Sequence, residues 1–282
     1  MPIQFSKFHG FGNDYIVFDG GDLKGAAMLG ELAIAMCDRH TGVGSDGLAV
    51  IQRADESVGD YNCEIINPDG SFASFSGNGT RCAVAHIFQK SEWPGETLRL
   101  KTRSGIKTYR LLGRKGDEFS FEAEIGTPRF GGSDIPVSLG AERQAVVNEP
   151  ISLAGGQYTF SAVNVGNPVA AIFMDSFDLD WRSMGREMES HAMFPQRTNV
   201  VFVTVRDREN IEVRIWERGA GETAASGTCA TAAAVLSAFL LKTGRDVHVH
   251  SPGGTTDVSW RNDDRIVLTG SAKYIFSGEW PL

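Results

Sequence analysis

Short runs of β-branched and aromatic residues alternate with turn residues along most of the chain, while only four segments carry a helical spacing of apolar positions. Strands are predicted at residues 3–9, 15–19, 47–52, 61–67, 98–102, 106–112 and 118–124, interrupted by helices at 26–38 and 79–89. Gly and Pro then cluster in G-T-P-R-F-G-G-S-D at 126–134. A similar series starts after that cluster, with strands at 158–164, 170–174, 199–206 and 210–216 and helices at 181–189 and 227–241. Strands mixed with a few helices in this way place the chain in the α+β class.

Two of the four helices open on a serine followed by glycine. S-F-S-G-N-G-T-R-C occupies 74–82 and A-A-S-G-T-C-A-T occupies 224–231, each leading into an apolar, alanine-rich stretch. Ser76 and Ser226 stand just before Gly77 and Gly227, where unpaired backbone N–H groups and the helix dipole can hold an anion. Either segment alone reads as a serine N-cap. Together they suggest more, because each half presents strands, an Asn-bearing turn and then the Ser-Gly opening. A duplicated lobe is expected, with two helix ends gripping a carboxylate in the cleft between the lobes.

The 282 residues, 41% apolar and 22% charged, predict one large or two medium domains with ample core. A net charge of −8 with no Lys or Arg run argues against nucleic acid or an anionic membrane as partner and favours a small molecule. The apolar run at 230–241 is too short to span a bilayer, and M-P-I-Q-F-S-K-F-H-G offers no basic leader, so the chain reads as cytoplasmic. Cys37, Cys63, Cys82 and Cys229 form no C-x-x-C pair, which predicts buried free thiols rather than zinc or disulfides. His248 and His250 share one face of a short strand but have no third ligand nearby, so no metal is expected. G-V-G-S-D-G at 42–47 lacks the Lys-Ser/Thr ending of a phosphate loop.

Several motifs, taken in order, carry a resemblance over nearly the whole chain. They are F-H-G-F-G-N-D-Y at 8–15, G-V-G-S-D-G, N-P-D-G-S-F-A-S-F-S-G-N-G-T-R-C at 67–82, V-G-N-P at 165–168, P-Q-R-T-N-V at 195–200, E-R-G-A-G-E-T at 217–223 and Y-I-F-S-G at 274–278. The chain resembles diaminopimelate epimerase, a family of isomerases of lysine biosynthesis that use no pyridoxal phosphate or other cofactor. The resemblance implies two pseudo-symmetric lobes, each a curved, mostly antiparallel sheet around a central helix. It divides the chain into 1–127 plus 273–282 and 128–272. A homodimer is compatible with base rates.

In that family one cysteine removes the α-proton of a free amino acid and a second delivers a proton on the opposite face. The carboxylate is held by helix N-terminal N–H groups, which map to Gly77, Asn78, Gly227 and Thr228. Asn67, Asn199 and Arg218 match positions that bind the distal carboxylate, and Glu217 a carboxylate on the distal ammonium. Asn13 and Asn167 match polar residues around the reacting amino acid.

Both family cysteines are serine here, Ser76 and Ser226, and the histidine and glutamate expected nearby are Val169 and Ser74. A thiol pKa of about 8.5 against about 15.7 for a water-like hydroxyl costs an unaided serine base roughly 7 kcal/mol or more. Removing thiols alone would have left positions 74 and 169 unchanged. The expectation is an isomerase acting at Cα of diaminopimelate or a similar dicarboxylic amino acid, with Ser76, Ser226 and Glu217 as catalytic candidates. The alternatives are a one-base isomerase, dehydratase or lyase of the same family, or an inactive amino-acid-binding paralogue. His9 and His40, other candidate bases, read as structural, and Lys7 reads as a surface lysine.

Overall fold

The computed structural model describes residues 2–21, 26–55, 57–90, 93–153 and 155–281. The chain forms two compact units, residues 1–124 with 269–282, and residues 125–268.

In unit 1, β1 (Ile3–Gly10) and β2 (Asn13–Asp19) form an antiparallel hairpin, and α1 (Ala26–Cys37) crosses over to β3 (Leu48–Arg53), which runs parallel to β2. A parallel pair needs such a crossover, because a tight turn can only reverse the chain. β4 (Tyr61–Ile66) returns antiparallel to β3, and short β5 (Phe72–Ala73) leads into α2 (Gly77–Gln89). This second crossover places β6 (Thr97–Thr102) parallel to β4, and β7 (Gly105–Lys115) and β8 (Glu118–Gly126) follow as antiparallel neighbours.

Unit 2 repeats the plan. A leading strand β9 (Glu149–Leu153) pairs with β10 (Gly156–Asn164), and then come β11 (Pro168–Phe173), α3 (Trp181–Glu189) and β12 (Asn199–Val205), with β11 and β12 parallel. β13 (Asn210–Glu217), β14 (Gly221–Thr223) and α4 (Gly227–Phe239) lead to β15 (Asp246–Ser251), parallel to β13, and then to β16 (Gly254–Trp260). The last strand, β17 (Ile266–Trp280), begins in unit 2 and ends in unit 1, where it pairs antiparallel with β1.

Each unit is therefore a mostly antiparallel sheet with one helix at its centre. Every residue of α2 from Gly77 to Ile87 is buried. So is every residue of α4 from Thr228 to Ala238, which packs against β10 to β13, β15 and β16. A helix surrounded on all sides has no polar face, and small residues let the strands approach it closely, which explains the Ala, Gly, Thr and Cys content of both segments. α3 is instead one-sided, burying Trp181, Met184, Gly185, Met188 and Glu189 at helical spacing. The core of unit 1 joins Phe5, Ile16, Phe18 and Leu48 to Met36 of α1. That of unit 2 joins Phe160, Val200, Phe202 and Trp216 to Trp181 and Met188 of α3.

The predicted elements all form, with α2 starting two residues earlier and α4 ending two residues sooner than their spacing suggests. The strands β5, β9, β14, β16 and β17 carry no separate prediction. Two of them are only two or three residues long, and β17 mixes Gly, Ser and Lys with its apolar positions. No helix among the described residues is long and apolar enough to cross a membrane.

Candidate functional site

In unit 1, Ser76 caps α2. Its backbone is extended, with φ −135° and ψ 120°, and its Oγ accepts from the Gly79 N–H at 3.1 Å. The same Oγ shares a 2.9 Å hydrogen bond with the Tyr15 hydroxyl. The Gly77 and Asn78 N–H groups precede the helical ladder, as an anion site at a helix N-terminus requires.

Asn78 is buried and joins the polar residues behind the cap. Its Nδ2 donates to Asn13 Oδ1 at 3.2 Å, and its Oδ1 accepts from the buried Arg81. Asn13 Nδ2 donates in turn to Asp46 Oδ2 at 2.8 Å. Behind it, Asp14 pairs with Lys7 at 2.8 Å and Arg39 at 2.7 Å, and Arg39 also reaches Asp46 at 2.8 Å. Burial opposes the charge on Asp14, but the hydrogen bonds and charges of Arg39 and Lys7 hold its carboxyl below the ordinary value.

The G-V-G-S-D-G segment supplies Asp46 and wraps the end of α1, with Val43 and Gly44 N–H groups both donating to the Met36 carbonyl. The Asn67 side chain donates to Ser71 at 2.9 Å within the N-P-D-G-S turn. Lys7 is buried and engaged, not a surface residue, while His40 is exposed and His9 accepts from Gly12 N–H at 3.4 Å.

In unit 2, Ser226 precedes α4 with similar angles, φ −144° and ψ 123°, yet makes no side-chain cap. Its Oγ donates to Glu217 Oε2 at 2.9 Å and lies 3.4 Å from Thr228 Oγ1. Glu217 also accepts from Thr223 Oγ1 at 2.9 Å. Burial raises the Glu217 pKa, and the two hydroxyl donors only partly offset it. Cys229, the third residue of α4, is fully buried, and burial raises its pKa well above the usual thiol value.

Asn167, Asn199 and Arg218 come together beside this pair. The buried Asn199 donates to the Pro168 carbonyl at 2.9 Å and accepts from the Arg218 N–H at 3.1 Å. The exposed Arg218 guanidinium donates to the Gln196 carbonyl at 3.1 Å and to Asn167 Oδ1 at 3.3 Å.

Sequence reasoning missed Tyr15, which ends the F-H-G-F-G-N-D-Y motif, and Glu189. The latter was detectable from helical spacing, since it lies on the buried face of α3 with Met184, Gly185 and Met188. His248 and His250 are engaged with Asp257, Thr255 and Asn210, and the described residues hold no cluster of three or more metal-ligating side chains.

The family model for diaminopimelate epimerase matches residues 5–129 and 161–275, one stretch in each repeat. Diaminopimelate epimerase of Caldanaerobacter subterraneus subsp. tengcongensis is 38% identical, covering 98% of this chain and 99% of its own length. That of Pelotomaculum thermopropionicum is 37% identical, with 99% of each chain covered. Among solved structures, a Bacillus anthracis protein of the PhzF phenazine-biosynthesis family superposes with a TM-score of 0.72 over 100% of both chains at 15% identity, a likeness of fold alone. With both repeats matched and identity sustained over the full length, this chain belongs to the diaminopimelate epimerase family, although serines head its two buried helices.

Proposed function

We propose that this protein binds a free amino acid, diaminopimelate or a similar dicarboxylic one, and moves its Cα proton as a cofactor-independent isomerase. The observation that carries this reading is the hydrogen bond from Ser226 to the half-buried Glu217 carboxylate. A lone serine hydroxyl is a very poor base, but a carboxylate whose pKa is raised can take its proton as the hydroxyl takes the substrate's. The Cα–H bond breaks, Ser226 gains that proton, and its own proton passes to Glu217. The electron pair left on carbon spreads into the α-carboxylate, where the Gly227 and Thr228 N–H groups at the start of α4 stabilise it. In unit 1 the matching carboxylate-binding groups are Gly77 and Asn78, with Asn13 behind them. Asn199 and Arg218 suit a distal carboxylate, because Arg presents a planar, permanently charged fork. Asn67 spends one Nδ2–H on Ser71 and keeps the other for the same ligand.

A second reading is a one-base reaction. Only Ser226 has a carboxylate partner, whereas Ser76 is tied to Gly79 and Tyr15. The test is solvent-deuterium incorporation at Cα of L,L- and meso-diaminopimelate in D2O, read by mass spectrometry with chiral separation and alongside a binding titration. Exchange with epimer formation supports the isomerase, and exchange without epimers supports one-base chemistry. Binding without exchange would make the chain an amino-acid-binding protein.

A further inference from the structure

We propose that Tyr15 is the proton relay of Ser76, so that unit 1 carries a Tyr-Ser pair where unit 2 carries Glu217 and Ser226; this rests on the isomerase reading above. The Tyr15 hydroxyl lies 2.9 Å from Ser76 Oγ. The ring is held in place by its surroundings. Tyr15 is buried on β2, and two glycines leave the space it fills: a Cβ built on Gly47 or on Gly79 would each stand 2.8 Å from Cε1. Gly79 has a second role, since its N–H donates to Ser76 Oγ at 3.1 Å. A serine hydroxyl has two acceptor positions and one donor. When Tyr15 O–H is the donor in that bond, Gly79 N–H and Tyr15 O–H fill the acceptor positions, and the Ser76 proton faces a ligand at the start of α2.

The chemistry favours this arrangement. A phenol, with a pKa of about 10, is far closer to a thiol at about 8.5 than an aliphatic hydroxyl is. Ser76 can therefore give its proton to the substrate carbanion while Tyr15 re-supplies Ser76. One C–H bond forms at Cα, the Tyr15 O–H bond breaks, and the negative charge moves from substrate to phenolate. Water then returns a proton to Tyr15. The reverse sequence removes a proton from the other epimer. Tyr15 acts through Ser76 and is a positioning and relay residue, not one that touches the ligand.

The experiment compares the unsubstituted full chain with Tyr15→Phe in D2O, measuring epimer formation and Cα exchange separately for each diaminopimelate stereoisomer. Tyr15→Phe should lower epimer formation about 100-fold or more, the usual scale of acid–base assistance. Exchange in the stereoisomer that Ser226 deprotonates should stay within about threefold. Adding Ser76→Cys to Tyr15→Phe should restore epimer formation, because a thiol needs no relay. Fluorotyrosine at position 15, which keeps the hydroxyl and lowers its pKa, should move the alkaline limb of epimer formation to lower pH and guards against a folding defect in the Phe variant. Equal loss of exchange and epimer formation, or an unmoved pH limb, would overturn the relay while leaving the isomerase reading in place. No exchange in the unsubstituted chain would instead remove the isomerase reading itself.

Discussion

The Trp216 indole N–H donates to Glu189 Oε2 at 2.8 Å, while Oε1 of the same carboxylate accepts from the Gly219 N–H at 2.9 Å. One buried side chain from the end of α3 thus holds the chain on both sides of Arg218. Arg197 supplies the counter-charge at 3.3 Å.

Glu189→Ala should destabilise the fold by at least about 2 kcal/mol, because it strands a buried indole N–H and a backbone N–H. Chemical denaturation measures this. Glu189→Gln keeps one oxygen that can accept one of the two bonds while its NH2 faces the other N–H, so it should recover only part of the loss, and ligand affinity should fall further in the Ala variant than in the Gln variant.

Arg218→Ala should weaken diaminopimelate binding by about 2–5 kcal/mol in calorimetry, the scale for removing one member of a charge pair. Lys should rescue little, since it cannot hold Asn167, the Gln196 carbonyl and a carboxylate in one plane. Unchanged affinity in the Ala variant would exclude Arg218 from the distal-carboxylate role.

On the isomerase reading, Glu217 links activity to pH. Its pKa is raised, so the deprotonated base is lost at a higher pH than for an ordinary carboxyl, and Cα exchange should fall on acidification through that raised value. Stability should run the other way. The desolvation cost is fully present above the raised pKa and is relieved as pH drops through it. Glu217→Gln should therefore abolish exchange, largely keep binding and melt no lower than the unsubstituted chain at pH 7. A lower melting temperature would mean that the charged carboxylate is a net support of the fold.

His86, 1% exposed on α2, has neither ring nitrogen hydrogen-bonded among the described residues, and burial pushes its pKa down to about 3 from 6.5. The folded state therefore binds fewer protons than the unfolded chain between those values. This contribution costs nothing above about pH 6.5 and grows by about 1.4 kcal/mol per unit below it, to about 2 kcal/mol at pH 5. His86→Leu should flatten that part of the stability profile in denaturation measured from pH 7 to pH 5. An unchanged slope would mean that another group drives the acid sensitivity.

Gly79→Ala should cost about 1–3 kcal/mol in thermal unfolding, because its Cβ would meet Tyr15 and Ile65 at under 3 Å. The same methyl would displace the Tyr15 ring from Ser76.

The order of elements, the duplication and both serine helix openings were legible in the sequence, because each depends on local spacing. Period-two runs mark strands, and an alanine-rich run behind Ser-Gly marks a buried helix. Legible too were Ser76 and Ser226 and the polar residues of E-R-G-A-G-E-T. What tertiary structure decided is which partner each group has. Nothing local tells that Ser226 faces Glu217 while Ser76 faces Tyr15, 61 residues away, or that Glu189 holds the Arg218 turn from 30 residues away. Those pairings depend on which strands lie side by side around each central helix, and so do the pKa shifts, since burial and neighbouring charges exist only once the chain has packed.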